Sequence, residues 1–249
     1  MNRILCFVLC LVFLLSTSSC DSFDEIINTE KLVAVKYASP NEKAADEFVS
    51  EGYKTVTYNS SSDVVLAVEN KKTQAGILDE IEYSKFIRED RDIVIKSTCG
   101  YSLDYCVYFN SDSSELQNKF DKAIELLEEK GTLDQIKSAY LNGEKYKIKS
   151  KNCDKTLIAL CDPSFENRVC VDENGVVVGL DVNLVRAVCA QLNYDIRFVV
   201  TDFEDAFVKL EAGEGDFIIS ATEINEQREK YYLTSIPYLT LKYYLIERK

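Results

Sequence analysis

Apolar positions along this chain fall into short continuous runs that alternate with stretches of helical spacing. Leu32–Lys36 (LVAVK), Ala75–Leu78 and Phe217–Ile219 are brief apolar runs, the last following Gly213 and Gly215, and they read as strands buried on both faces. Ile196–Val200 concentrates Ile, Phe and Val and predicts another strand. Val56–Tyr58, Ile93–Ile95, Tyr105–Phe109 and Leu241–Ile246 predict shorter or weaker ones. Between them, Ser62–Val68, Glu80–Arg88 and Phe203–Leu210 have helical spacing, the last with Phe203, Phe207 and Leu210 on one face behind a Thr201/Asp202 cap. Ser39-Pro40-Asn41-Glu42 has a cap residue, a proline for the first turn and a glutamate three residues on, a helix start. In Ser114–Lys130 the residues Leu116, Phe120, Ala123, Ile124 and Leu127 form one apolar face, and Gly131 ends the helix. Thr132–Leu141 reads as a second helix with its own Thr132/Gln135 box. Strand–helix–strand order predicts an α/β fold with parallel sheets, and ligands at the carboxyl ends of the strands.

The N-terminus does not belong to that pattern. Asn2-Arg3 is basic, Ile4–Leu15 is apolar and Ser16–Ser19 are small, the anatomy of an export signal. It stops at Cys20, which reads as a lipoprotein processing site whose cysteine carries a lipid anchor; simple secretion is the alternative. Residues 21–30 are a polar tether. Cys99, Cys106, Cys153, Cys161, Cys170 and Cys189 remain in an exported chain, so disulfides are permitted. Cys161 and Cys189 fall in a predicted strand and helix and are expected as free buried thiols. The chain has no histidine, which excludes Ser-His-Asp and Cys-His catalysis and His-ligated metals. No CxxC pair occurs, so no metal or other cofactor is expected. A net charge of −13 over 249 residues argues against nucleic acid as a partner.

Leu157–Ile246 contains GxxxGxDVxLxxAxxxxL, DFxxAxxxLxxGxxDxIIxATxxNxxRxxxY and a PY pair. These residues resemble the first lobe of bacterial extracellular solute-binding proteins of the amino-acid-binding family (family 3). Residues 32–142 resemble that family's second half, through VAVK, Ala75–Asp79 and the helical pair at Ser113–Tyr140. The family runs lobe I, crossover, lobe II, crossover, terminal helices; here the halves stand in reversed order. The resemblance therefore implies a two-lobe, periplasmic-binding-protein-like (type II) fold, with mixed and parallel sheets flanked by helices, in circularly permuted order. A piece of a longer tandem protein is the alternative. The expected organisation is 31–110 as lobe II with a crossover strand, 111–142 as a helical pair on lobe I, 143–155 as a linker, and 156–249 as lobe I with a second crossover strand. Only the crossover at Tyr105–Phe109 is expected to join the lobes covalently, the other strand ending the chain beside it.

Lys36, Asp79 and Asp162 end predicted strands, and Arg228 follows another by one tight turn capped by Asn225, so all four are expected at one sheet edge. Burying an amino acid requires a partner for each of its charges. By the resemblance, Arg228 clamps the ligand carboxylate, with a surface ion pair to Glu226 or Glu229 as the alternative. Asp79 takes the ammonium, or else caps a helix. Asp162 and Phe165 follow the first strand of lobe I, Phe203 stacks on the ligand side chain, and Ala221 offers a backbone carbonyl. Glu223 stands where the family has threonine. In lobe II, Lys36 and Ser39 occupy a loop in which Pro40 removes one backbone donor. These departures make the site more acidic, which favours a cationic amino acid. The implied function is capture of a free amino acid for a membrane permease. The alternatives are an exported dehydratase of a cyclic amino-acid precursor, with Glu223 as its acid, a ligand sensor, or a copy that no longer binds.

Overall fold

The computed structural model describes residues 30–144, 146, 148, 153, 155–165 and 168–249. The expected export signal, Cys20 and most of the 143–155 linker lie outside the described residues. Among those described, no helix is long and apolar enough to cross a membrane.

The first part of the chain alternates strand and helix: β1 (Lys31–Lys36), α1 (Pro40–Val49), β2 (Tyr53–Tyr58), α2 (Ser61–Glu69), β3 (Ala75–Asp79), α3 (Glu80–Arg88) and β4 (Ile93–Tyr105). β1 lies parallel to β2 and β3. Each helix starts by its own local chemistry. Pro40 opens α1, but the Ser39 hydroxyl donates back to the Lys36 carbonyl at 2.7 Å instead of capping. The Ser60 hydroxyl accepts the Asp63 amide at the start of α2. Asp79 and Glu82 form a complete capping box on α3. The expected break after Ile95 is absent: β4 continues to Tyr105 because it lies along a partner strand for its whole length.

That partner is β12 (Leu239–Arg248), the last strand of the chain. It inserts antiparallel between β3 and β4, giving the lobe II sheet the order β2-β1-β3-β12-β4. The other lobe contains β5 (Tyr108–Asn110), β6 (Thr156–Cys161), β9 (Asp195–Val200), β10 (Phe217–Ile218) and β11 (Tyr232–Thr234) in the order β11-β5-β10-β6-β9. β7 (Cys170–Val171) and β8 (Val177–Val178) make a separate small hairpin. Helices α6 (Leu180–Gln191) and α7 (Phe203–Glu211) flank this lobe. The helical pair α4 (Ser114–Glu129) and α5 (Thr132–Leu141) joins the same core, with Phe120, Ile124 and Ile136 buried alongside Leu184, Val188 and Phe217. Thr132 is the first residue of α5 rather than its cap, since the left-handed Gly131 precedes it. Neither does the Asp202 side chain cap α7.

The chain therefore passes between lobes twice, at 105–108 and at 234–239. The expectation of one covalent crossing is corrected: the last strand is a central member of the lobe II sheet. The two crossings are stitched to each other and to lobe I. Tyr238 N–H donates to the Tyr105 carbonyl at 3.0 Å, and Ser235 N–H to the Val107 carbonyl at 2.9 Å. Cys106 N–H donates to the Thr222 carbonyl at 2.9 Å, and the buried Thr222 hydroxyl returns a bond to the Cys106 carbonyl at 2.7 Å. Cys99, Cys106, Cys161, Cys170 and Cys189 are free thiols. Burial pushes the Cys161 thiol up to about 11 and the Cys189 thiol up to about 12, so both remain protonated apolar fillers.

Deleting residues 242–249 opens the middle of a sheet and strands the ladder groups of β3 and β4. The expected outcome is loss of the cooperative melting transition by circular dichroism; a variant that melts like the parent would contradict the central place of β12.

Candidate functional site

The carboxyl ends of β1 and β3 face the β6–α7 side of the other lobe across a cavity of about 560 Å³. Lobe II supplies Lys36, Ser39, Asp79 and Glu82; lobe I supplies Phe165, Phe203, Ala221, Glu223 and Arg228. Tyr105, Leu103 and Tyr243 form the floor near the crossings.

On lobe I, the Asn225 carboxamide accepts the amides of Gln227 and Arg228 at 2.9 and 3.2 Å, which winds the short 3-10 turn Arg228–Lys230. That turn places the Arg228 guanidinium 4.9 Å from the Phe203 ring centroid and 5.4 Å from that of Phe207. Phe165 meets Phe203 edge to face at 6.3 Å. No carboxylate forms an ion pair with Arg228 among the described residues, and Glu229 instead accepts from the Thr234 hydroxyl at 3.2 Å. A guanidinium held by ring faces keeps its donors available for a planar, bidentate anion such as a carboxylate. Ala221 has φ 51°, a left-handed conformation costing an alanine about 1–2 kcal/mol. Glu223 is fixed beside the first crossing: its backbone bridges Tyr105, and its carbonyl accepts the Tyr108 hydroxyl at 2.8 Å.

On lobe II, Asp79 is both things its sequence context allowed. Its Oδ1 accepts the Glu82 amide at 2.8 Å as a helix cap, and the residue also lines the cavity. Burial, then the neighbouring Glu82 carboxylate, raise its pKa from the ordinary 3.8 to about 7.

Asp162 departs from expectation. It is absent from the cavity lining; its Oδ1 accepts the Ser164 amide at 2.9 Å, closing a turn, while its own amide donates to the Ser220 hydroxyl at 2.8 Å. An aspartate two residues before a free amide satisfies that amide locally, and here this use prevails.

Residues 157–249 match the family of bacterial extracellular solute-binding proteins, family 3. Over this segment the chain is similar to that family. Among curated relatives, the chain is 30% identical over 119 residues to the arginine-binding extracellular protein ArtP of Bacillus subtilis, covering 46% of each chain. It is 29% identical over 92 residues to an arginine-binding periplasmic protein of Mannheimia haemolytica, covering 37% of this chain and 39% of that one. The chain thus spans less than half the length of the curated relatives it matches. A solved ancestral arginine-binding protein bound to arginine shares 30% identity over 32% of this chain and 35% of its own, with a TM-score of 0.30.

The matched segment also holds a cavity residue that periodicity did not reveal. Arg168 is buried and lines the cleft, with Nε and Nη2 on the two oxygens of Asp181, the latter at 2.7 Å. Asp181 is fully buried and also accepts the Tyr238 hydroxyl at 2.6 Å, and the Arg168 guanidinium lies 3.8 Å from the Tyr105 ring centroid. Gly179 permits this: at φ 137° it lies under the Arg168 carbonyl, which would sit 2.1 Å from any Cβ. The signal available was Asp181 inside an apolar helical run, a buried acid that needs a cation. Glu82 was legible only as the fourth member of the Asp79 capping box.

An aspartate whose carboxyl titrates near 7 in the fold but near 3.8 when unfolded binds its proton more tightly in the native state. Stability therefore falls as pH rises from about 4 to about 7 and then levels off. Asp79→Asn keeps the cap and removes the charge. The variant is expected to melt at higher temperature than the parent at pH 8, with the gap narrowing toward pH 5, as read by differential scanning calorimetry.

Proposed function

We propose that this chain is an extracytoplasmic binding protein that captures a free amino acid between its lobes, with a basic amino acid, arginine first, as the ligand. The observation that carries the reading is the pairing of Arg228 on one wall of the cavity with Asp79 on the other. A zwitterion needs an anion-binding fork and an acid on opposing surfaces, and each charged hydrogen bond is strong when desolvated. Asp79, Glu82 and Glu223 add acids to the cavity, and Phe165 and Phe203 offer ring faces for a guanidinium or an aliphatic stem. The two curated relatives described above are named as arginine-binding proteins, which supports the same ligand class. Binding draws the lobes together about the paired crossings, and the loaded protein hands its ligand to a membrane permease. Export and a lipid anchor at Cys20 are part of the reading.

The reading also includes a permuted chain order. β12 runs away from the cavity and β1 runs toward it, and both lie beside β3: Ala34 and Ile246 each pair with Gly76. The outer ends of β1 and β12 are therefore two strand spacings apart, roughly 10 Å. A short connection would join them, as the family order requires.

Isothermal calorimetry with the twenty amino acids tests the ligand. The expected result is binding of arginine, lysine or ornithine, weakened at least about 30-fold by Arg228→Ala, since truncating one partner of a buried charge pair costs about 2–5 kcal/mol. Tight glutamate binding with no basic amino acid bound would reject the assignment.

A further inference from the structure

One acid on the lobe II wall does more than line it. The Glu82 Oε2 accepts the Asn41 side-chain amide at 3.1 Å and the Asp79 backbone amide at 3.1 Å, while Oε1 accepts the Ser61 hydroxyl. Asn41 belongs to α1, Ser61 to α2, and Asp79 caps α3. One carboxylate thus ties the N-termini of three helices at the cavity edge. Asn41 is itself buried and donates its remaining bond to the Ile77 carbonyl at 3.0 Å, so the knot is anchored on β3. With its hydrogen bonds committed inside lobe II, Glu82 acts on a ligand through Asp79, one helical turn away.

We propose that Glu82 is the positioning residue of the amino-acid cleft, holding Asp79 in place and setting its charge state so that capture of the ligand ammonium expels a proton. This rests on the amino-acid reading above. The balance is simple. Neutral Asp79 meets an ammonium group; its O–H bond breaks, the proton leaves to solvent, and a carboxylate–ammonium pair remains. The groups around Asp79 allow this. Lys36 and Lys85 line the same wall, Glu80 is paired with Lys137 at 2.7 Å, Tyr105 and Tyr243 are neutral phenols on the floor, and Arg168 is engaged by Asp181. Glu82 is the nearest like charge, and like charge together with burial accounts for a carboxyl that titrates near neutrality.

The test is arginine affinity from pH 6 to 8 in the parent, Glu82→Gln and Glu82→Ala, together with the Asp79 titration followed by carboxyl-carbon NMR in ligand-free protein. Glutamine preserves the capping box but not the charge. In the parent, affinity is expected to rise about tenfold from pH 6 to pH 8, following ionisation of a group near 7. Glu82→Gln should flatten that rise to below about threefold, bind more tightly than the parent at pH 6, and lower the Asp79 midpoint by about one pH unit. Glu82→Ala, which unties the helix ends, should lose affinity at every pH. A residue with a purely structural role would weaken binding in both variants and leave the pH profile and the Asp79 midpoint as they were; that result overturns the proposal. Absence of any amino-acid binding by the parent would sink the ligand reading, and the Asp79 midpoint in the ligand-free variants would still decide the role of Glu82.

Discussion

The antiparallel ladder between β12 and β4 is the constraint on which the molecule depends. It runs from Leu239 against Tyr105 to Arg248 against Ile93, so the last strand of the chain and the strand that leaves lobe II share one long seam. At its cavity end the seam becomes the two crossings. Because they are hydrogen-bonded to each other through Ser235 and Tyr238, and the first is bonded to Thr222 of lobe I, the lobes are joined by one double strap rather than by two independent tethers. In the reading proposed above, in which the walls approach on a ligand, this strap is the pivot.

Beneath the strap lies a buried ionic knot. Arg168, Asp181 and Tyr238 are all nearly inaccessible, and Tyr105 stacks against the guanidinium. A buried ion pair of this kind gains little net stability over an apolar filling, but loss of one partner leaves an uncompensated charge. Its effect here is geometric. Arg168 comes from the loop after β6, Asp181 from α6, Tyr238 from the second crossing and Tyr105 from the first. The knot thus fixes both crossings against the lobe I wall, and Asp79 faces it across the cavity.

Much of this was legible in the sequence, and the misses have physical causes. Two-period apolar patterning located β1, β3, β9, α4 and α7, because short buried strands and one-sided helices leave distinct spacings. The strand-end rule brought Lys36, Asp79 and Arg228 to one cavity. It failed for Asp162, whose carboxylate accepts the Ser164 amide and closes a local turn. The middle of β4, Ser97–Asp104, is not a continuous apolar run: Cys99, Tyr101 and Leu103 face the core in alternation with exposed polar residues, so the strand shows only as a period of two. Strand insertion is a long-range event, and nothing local to Leu239–Arg248 signals which neighbours it will have. The same holds for the contacts of Glu82 beyond its own capping box, since Asn41 and Ser61 lie on two other helices.

The central claim, proposed above, is that two lobes written in the chain in reversed order pivot on that shared seam around the cavity between them. Its most direct test is to restore the family order by joining Lys249 to Glu30 through a short linker and opening the chain within 143–155. The account predicts that the rearranged protein folds cooperatively, with a melting temperature and ligand affinity close to those of the parent. A rearranged chain that fails to fold, or folds without the cavity's binding activity, would contradict it.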